Sequence, residues 1–572
     1  MWNKLKKILP EFLLFIFIFA VYVYSLCPTV YLIDSGELAG VSYTLGIAHP
    51  TGYPLYTIIS YFFARIPGEP IKNLNFLSTL FSFFSAIFLY ITIKKITKDN
   101  VVSIIATALF AFSPIIWRIS ITNEVYPLTG LFCVLLLFLL YKLNDTRIFY
   151  ALMFFIGLAF TNHIIIFSLA IPLFLYVIKI YRPSLKIIIT GLFFTIIAIS
   201  LYLYLMVRTL AGVEIAWGNT FNLQRLFWHI TGKQYQVWMF SLSLKEILNN
   251  AKQGIIFQSA NLLYFFIAFV FVGFYYLFRN DRKKFWLFLT IFFLNFLYTI
   301  NYAIPDIESY HIPGFITLLF SSAYGLYALK KYLKWFIAIP LILIFALVNY
   351  PSCTLKDNTF ALDYCLAHIS QLPKKSLLIC SYWDIYSPTI YLRKVKNIYK
   401  DFVIIDKELL RRTWYIKYLK NEYPEFYNSA QQEINDYLTE LYKFEYNKSY
   451  DPRIIQQKYI KMLERFVEIK ETTGVYFALP FPDYDLNSVK PDYYRIPYGL
   501  NYLITKEIQP ASFDFSKLKI NYPKFINDPR LKFNIEAVKR MIVNNINYLT
   551  KTNRINEAEL AKMWLNDFSQ YR

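Results

Sequence analysis

The sequence predicts a polytopic α-helical membrane protein that ends in a soluble α/β domain with a helical tail. Of the 572 residues, 56% are hydrophobic and 17% are charged, which is more apolar and less charged than a typical soluble domain. Apolar runs of about 18 or more residues, the length that crosses a bilayer, recur up to Tyr350, and none follows it. We therefore predict a transmembrane domain over 1–350 and a soluble domain over 351–572.

About eleven spans are predicted in the first part of the chain. The first follows Lys4, Lys6 and Lys7 and lacks a small-residue cleavage site, which favours an uncleaved anchor over a secretory signal. The stretch 53–66 is apolar but short for a full crossing, so we interpret it as re-entrant or as a half-span. The predicted spans are 8–26, 71–93, 101–117, 124–141, 148–161, 163–180, 186–206, 259–278, 285–304, 312–329 and 333–350.

Basic loops predict the orientation. Lys and Arg dominate 94–98, 179–186, 279–284 and 330–334, and such loops collect on the cytoplasmic side. The four loops agree with a cytoplasmic N-terminus only if 53–66 does not cross completely, and the C-terminal domain is then extracytoplasmic. These loops, together with anionic headgroups, account for the net charge of +21. We expect a lipid bilayer and no nucleic acid as partner, since no nucleic-acid motif accompanies the charge.

The second part of the chain shows an α/β pattern. Residues 376–384 and 401–409 read as strands separated by a helix, and 474–481 reads as a further strand. From about residue 530 the pattern is helical to the end. A helical hairpin is one form that this tail can take.

Polar segments converge on one side of the predicted membrane domain. The topology places 34–37 (DSGE), 123–126 (NEVY), 161–163 (TNH), the loop 207–258 and 305–311 (PDIESYH) on the extracytoplasmic face. These segments carry Asp, Glu, His and Asn, whereas the cytoplasmic loops carry mostly Lys and Arg. The convergence predicts one polar cavity on that face.

Asp34 and Glu37 are the main catalytic candidates. Acids next to a bilayer are costly to keep and are functional candidates by default. One carboxylate would act as general base, and the other would orient it or bind a metal. The alternative is a capping box, in which Asp34 caps a helix and Glu37 returns the bond. His49 begins a rigid turn, HPTGYP, that either points the imidazole back at the acids or is a plain turn.

Three further polar residues lie at predicted span ends. Glu124 is a second acidic site, or simply suits a helix N-terminus. His163 is either a substrate ligand or an interfacial residue. Arg208 is either a phosphate clamp, for which a guanidinium is well suited, or a snorkelling cation.

The outer loop and the last polar segment add four candidates for substrate binding. Trp217 and Tyr235 would stack on sugar rings, line a lipid groove or form part of an interfacial aromatic belt. Asp306 and His311 place an acid and an imidazole on the same predicted face.

In this order, these motifs resemble glycosyltransferase family 117, a family of the GT-C class of polytopic enzymes. DSGE at 34–37 is similar to the acidic motif that follows the family's first span. LGIAHPTGYPLY at 45–56 is similar to its HPxGxPL segment, with Thr51 where Pro is commoner. The remaining similar blocks are NEVYPL at 123–128, GLAFTNH at 157–163, LYLYLMVRT at 201–209, WGN at 217–219, TGKQY at 231–235, IPDIESYHIP at 304–313, WDIYSPTIYLR at 383–393 and RTWYI at 412–416.

The resemblance implies inverting transfer of a hexose, with mannose the expected sugar, from a polyprenyl-phosphate donor to a hydroxyl of a protein or glycan acceptor. Departure of the phosphate needs charge stabilisation, supplied either by Arg208 or by a divalent metal on Asp34, Glu37 or Glu124. Both options stay open, and so does the need for a metal cofactor. The alternative function is a transporter or flippase of a lipid-linked glycan, but the internal repeats and midplane polar residues typical of transporters are not found.

Overall fold

The computed structural model describes residues 2–332, 335–508, 512–525 and 528–570. The chain forms two compact units that alternate along the sequence. The first, which we call the helical unit, comprises Met1–Leu26, Ile47–Leu210 and Thr220–Lys356. The second, the sheet unit, comprises Cys27–Gly46, Ala211–Asn219 and Asp357–Arg572. The change of character predicted after Tyr350 therefore lies close to Lys356, but two segments from the first part of the chain fold with the second unit.

The helical unit is built from apolar helices whose starts are marked by local signals. Proline occupies the first turn of the helices that begin at Pro54, Pro70 and Pro114, where its missing N–H costs nothing. The Asp99 and Asp145 carboxylates cap the helices that follow them, which satisfies otherwise unpaired N–H groups. The helices of this unit are Trp2–Ser25, Pro54–Ala64, Pro70–Thr97, Asn100–Ala111, Pro114–Ser120, Tyr126–Lys142, Thr146–Asn162, Phe167–Tyr181, Leu185–Ile199, Leu203–Leu210, Leu223–Ile230, Leu244–Asn261, Phe266–Asn280, Arg282–Ile300, Ile312–Ala328 and Trp335–Cys353.

The protein is a polytopic helical membrane protein. Within the described residues, four helices are long and apolar enough to cross a membrane, or up to six spans if two bent pairs each count as one. One bent pair, Asn100–Ala111 with Pro114–Ser120, turns by 61°, so the predicted span 101–117 is not one straight helix. The other, Leu244–Asn261 with Phe266–Asn280, turns by 97°, inside the predicted span 259–278. The short helix Pro54–Ala64 agrees with the apolar stretch at 53–66.

Glycines bring two helices of this unit into backbone contact. A Cβ added at Gly325 would lie 2.8 Å from the Phe269 carbonyl carbon, and one at Gly273 would lie 2.6 Å from the Ser321 carbonyl carbon. Helices Phe266–Asn280 and Ile312–Ala328 thus pack through small residues, as is common in membrane helix pairs.

The sheet unit contains five strands in the order β2-β1-β3-β5-β4. The strands are β1 Leu377–Cys380, β2 Val403–Asp406, β3 Val475–Ala478, β4 Tyr494–Tyr498 and β5 Asn501–Thr505. β1 runs parallel to β2 and β3, and β5 is antiparallel to both of its neighbours, β3 and β4. Every residue of β1, β2 and β3 is buried, as expected for parallel strands covered on both faces.

The three predicted strands and the helix between the first two are confirmed, and so is the helical tail, which forms a hairpin. The pair β4–β5 was not predicted, because Pro497 argues against a strand. β4 lies at the edge of the sheet, where a proline is tolerated. The helices of this unit are Ser35–Thr44, Phe360–Ile369, Trp383–Lys394, Thr413–Glu422, Pro424–Ser429, Gln431–Glu445, Pro452–Lys470, Tyr484–Ser488, Pro529–Lys551 and Ile555–Gln570.

The DSGE motif opens a short helix that packs inside the sheet unit. Helix Ser35–Thr44 lies against Trp383–Lys394, the helix that connects β1 to β2. A Cβ at Gly36 would lie 2.8 Å from Pro388 Cα and closer still to the Ser387 carbonyl. One at Gly40 would lie 2.6 Å from the Ile390 side chain. The two glycines, four residues apart, therefore permit the close approach of the two helices.

Candidate active site

The Asp34 carboxylate accepts a hydrogen bond from a tryptophan of the sheet unit. Asp34 is the N-cap residue of helix Ser35–Thr44, yet its side chain makes no capping hydrogen bond. Its Oδ1 instead accepts from the Trp383 indole Nε1 at 2.8 Å. The capping box predicted as the alternative role of Asp34 and Glu37 is therefore wrong. The Asp34 backbone, with φ of −93° and ψ of −7°, is helical rather than in the extended conformation that is typical of a capping residue.

Glu37 is fully buried one turn after Asp34. Its backbone N–H donates to the Ser387 hydroxyl at 3.1 Å, which ties the helix to Trp383–Lys394. Carboxylate oxygens of Asp34 and Glu37 lie within 4.8 Å of each other. A buried carboxylate is costly unless it is paired or binds a cation, and oxygen pairs at this spacing suit a divalent cation. These two residues are thus the ones in this unit that would hold a metal.

Asp384, which follows Trp383, binds the backbone of Ile33, which precedes Asp34. The Asp384 carboxylate is buried and accepts from the Ile33 backbone N–H at 2.9 Å. It also accepts from Arg530 and Asn534 at 2.7 and 2.8 Å. Ile33 has φ of 64°, a left-handed conformation that is rare for a β-branched residue. Trp383 and Asp384 therefore hold consecutive residues, and Ile33 keeps a strained backbone that positions Asp34.

Trp217 belongs to a tryptophan cluster beside this contact. Its ring stacks on Trp414 with centroids 4.4 Å apart and meets Trp383 edge-on at 5.8 Å. Trp217 and Trp414 are buried, at 4% and 7% exposure, whereas Trp383 is half-buried. Trp217 therefore packs against the Trp383 ring and restricts its movement. Trp383 and Trp414 were not among the predicted site residues, although the WDIYSPTIYLR and RTWYI blocks contained them.

In the helical unit, a chain of rings leads away from His49. The Tyr53 hydroxyl lies 2.9 Å from His49 Nε2, and the Tyr53 ring stacks on His163 at 5.6 Å with an interplanar angle of 7°. His163 in turn contacts Tyr126 and Tyr310, at 5.1 and 5.0 Å between centroids. Two predicted site residues, His49 and His163, are thus joined through Tyr53.

His229 fixes the backbone just before His49 and was not predicted as a site residue. Its Nε2 lies 3.0 Å from the Ala48 carbonyl oxygen. Burial lowers the pKa of His229 to about 3, so the imidazole is neutral and donates to that carbonyl. His229 was visible in the sequence only as one polar residue of an aromatic loop.

Of the remaining predicted residues, Glu124 and Asp306 lie near the Tyr126 end of this chain of rings, and the others lie elsewhere in the helical unit. The carboxylates of Glu124 and Asp306 both act electrostatically on the buried Tyr126 phenol, and the Glu124 N–H lies 3.4 Å from the Ser78 hydroxyl. Arg208 lies close to the Tyr204 phenol. The Tyr235 ring stacks on Trp238 at 5.7 Å. His311 lines a cleft between helix Leu244–Asn261 and the segment 299–311.

Comparisons with known proteins find similar sequences. Residues 34–186 match the family model for the protein O-mannosyl-transferase TMEM260 N-terminal domain. The chain is 29% identical over 258 residues to protein O-mannosyl-transferase tmem260 of Dictyostelium discoideum, covering 40% of this chain and 32% of that one. It is 25% identical over 434 residues to protein O-mannosyl-transferase TMEM260 of Mus musculus, covering 68% of this chain and 61% of that one. Each alignment therefore spans less than two thirds of the relative.

The fold is also similar to a solved structure. ArnT from Cupriavidus metallidurans bound to undecaprenyl phosphate superposes with a TM-score of 0.55 at 11% identity, covering 88% of this chain and 99% of that chain. At this identity the similarity concerns the fold. The recognition made from the sequence motifs, a GT-C, protein O-mannosyltransferase-like membrane protein, is confirmed by these similarities.

Proposed function

We propose that this protein is an inverting membrane glycosyltransferase. It moves a hexose from a polyprenyl-phosphate donor to a hydroxyl of a protein or glycan acceptor on the extracytoplasmic face. One observation carries the proposal: Asp34, the first residue of the stretch that matches the family model, is also the residue whose carboxylate Trp383 orients. A motif that matches a transferase family model thus coincides with a carboxylate held in one direction.

The similar proteins support the donor and the sugar. Two relatives are named protein O-mannosyl-transferases, which favours mannose and a protein hydroxyl. The structural neighbour is bound to undecaprenyl phosphate, which favours a polyprenyl-phosphate carrier here. The helical unit would lie in the bilayer and hold the lipid, and the sheet unit would lie on the extracytoplasmic side.

In this mechanism Asp34 takes the proton of the acceptor hydroxyl. The acceptor oxygen forms a bond to the anomeric carbon, while the bond from that carbon to the phosphate oxygen breaks and the phosphate leaves with the electron pair. The configuration at the anomeric carbon inverts. Trp383 holds Oδ1 and so fixes the direction of the carboxylate, which positioned proton transfer requires.

The departing phosphate gains negative charge that the site must stabilise. Arg208 in the helical unit is the guanidinium candidate. Asp34 and Glu37 would hold a divalent cation, which would supply the same charge stabilisation. The two options differ in one respect: only the second makes activity sensitive to a chelator.

The test is a transfer assay with the purified full chain in lipid nanodiscs. We expect mannose to move from a polyprenyl-phosphate mannose to a Ser- and Thr-containing acceptor peptide or to a glycan acceptor, with inversion at the anomeric carbon seen by NMR. A nucleotide-linked mannose should not replace the lipid donor. Movement of a lipid-linked glycan across proteoliposomes with no transfer would instead establish the transporter alternative.

A further inference from the structure

A large cleft lies within the helical unit, and Asp34, Glu37, Trp383 and Arg208 are not among its lining residues. It has a volume of about 970 Å³ and runs between helix Leu244–Asn261 and the segment 299–311. Its size falls within the range of small-molecule sites. The lining combines the amides Asn249, Asn250 and Gln253 with the rings of Phe257, Tyr302 and His311.

The tautomer of His311 follows from its neighbours. His311 Nδ1 lies 3.3 Å from the Thr299 hydroxyl, and that hydroxyl donates its single proton to the Phe296 carbonyl at 2.9 Å. The hydroxyl can therefore only accept from the imidazole, so Nδ1 carries the ring proton and Nε2 is an acceptor. Burial lowers the pKa of His311 to about 4, so the ring is neutral near pH 7.

The acceptor of His311 has no protein partner. The residue is only 4% exposed, it lines the cleft, and its Nε2 makes no hydrogen bond among the residues that the structure describes. Because His311 lines the cleft, this acceptor is available to a ligand there that brings a hydrogen-bond donor.

The other lining groups indicate a neutral ligand. Asn249 and Gln253 lie four residues apart on one helix face, and both are exposed at the cleft, so their amides are open to a ligand. The charged groups are one lysine, Lys245, and two carboxylates, Glu246 and Glu308, so the cleft is poorly suited to a phosphate. Glu246 is already held in a capping box by Ser243.

We propose that this cleft binds a neutral sugar ring. One sugar hydroxyl would donate to His311 Nε2, and others would pair with Asn249 and Gln253, because amides both donate and accept as hydroxyls do. The half-buried Phe257 ring, whose centroid lies 5.5 Å from that of His311, offers an apolar surface for the C–H face of the sugar. This carbohydrate site goes beyond the proposed transfer reaction, and the Asp34 carboxylate takes no part in it.

The test is equilibrium binding of methyl α-D-mannopyranoside to the full chain. Saturation-transfer-difference NMR measures the binding. Nanodiscs are used because glycosidic detergents would compete for the site. The double variant Asn249→Ala/Gln253→Ala should bind the sugar about tenfold more weakly, since it loses two hydrogen bonds. Lys252→Ala, an exposed change on the same helix outside the cleft lining, should bind as the unmodified protein does.

A second variant tests the same site in case the double variant misfolds. Ala303 is exposed at the cleft, so Ala303→Trp should fold normally and block binding by filling the space. Sugar binding that neither variant changes would overturn the proposal, and so would the absence of sugar binding by the unmodified protein. Displacement of the sugar by inorganic phosphate, or preferential binding of a neutral peptide without sugar, would also overturn it.

Discussion

The Trp383 indole donates a 2.8 Å hydrogen bond to Asp34 Oδ1 across 349 residues of sequence. The next residue, Asp384, accepts from the Ile33 N–H. Two adjacent residues at the start of one helix thus hold two adjacent residues at the start of another. The acidic motif that follows the first apolar helix is part of the sheet unit, and its carboxylate direction is set by that unit.

Trp383→Phe tests the role of this hydrogen bond. The ring is kept and the N–H is lost, so the carboxylate is no longer oriented while the packing against Trp217 remains. A hydrogen bond to a charged group contributes about 1.5–3 kcal/mol, and we expect transfer to slow roughly 10- to 100-fold. The measurement is kcat for sugar transfer, with its pH profile.

The matched control is Trp564→Phe. In the unmodified protein the Trp564 indole donates a hydrogen bond of the same length, 2.8 Å, to the Leu518 carbonyl. It should lose stability and keep its transfer rate. Equal losses of transfer in the two variants would show that Trp383 acts on stability alone.

Gly36→Ala tests the close helix contact in the acidic motif. The new Cβ would meet the backbone of Ser387 and Pro388, which cannot move as a side chain tip can, and overpacking of this kind costs about 1–3 kcal/mol. We expect a lower Tm for the sheet unit, measured by tryptophan fluorescence. Gly130→Ala is the control, because its Cβ has its nearest neighbour at 3.9 Å. An unchanged Tm for Gly36→Ala would mean that the contact is looser than described.

Asp406 gives the sheet unit a pH-dependent stability. Burial raises the pKa of Asp406 to about 7 from its ordinary value of 3.8, so the folded state binds the proton more tightly than the unfolded state. The stabilisation is complete below about pH 4 and is lost as the pH rises through about 7. Its Oδ1 accepts from the Leu409 N–H at 2.9 Å, an interaction that an asparagine preserves.

Asp406→Asn should therefore flatten the fall in Tm between pH 5 and pH 8 and be the more stable protein at the upper end. Scanning fluorimetry of the purified protein at several pH values measures this. Asp492→Asn, an exposed position, should leave the slope unchanged. Parallel pH curves for the unmodified protein and Asp406→Asn would contradict the assignment.

Local patterns predicted much of the fold, and long-range contacts explain what they missed. The strands at 377–380 and 403–406 were predictable because both are short, wholly apolar runs, and the tail because its apolar residues follow helical spacing. The bends of 61° and 97° between helix pairs could not be predicted, because the apolar runs continue across them.

For the candidate site, the sequence identified Asp34 and Glu37 but assigned them a local capping role as the alternative. The partner of Asp34 is an indole far along the chain, which no local pattern encodes. His311 was predicted from its position in a polar segment, whereas its tautomer depends on the hydrogen bond of Thr299 to Phe296.

The most direct test of the central claim is the transfer rate of Asp34→Asn in lipid nanodiscs with a polyprenyl-phosphate mannose donor. Asparagine keeps the oxygen that accepts from Trp383 and removes the basic carboxylate. We expect a folded protein that binds donor and transfers sugar about 10²–10⁴-fold more slowly, the usual loss when a positioned base is removed. Glu37→Gln should be less affected if Glu37 only orients Asp34, and equally affected if both hold a metal. Near-normal transfer by well-folded Asp34→Asn would contradict the account and remove Asp34 from the reaction.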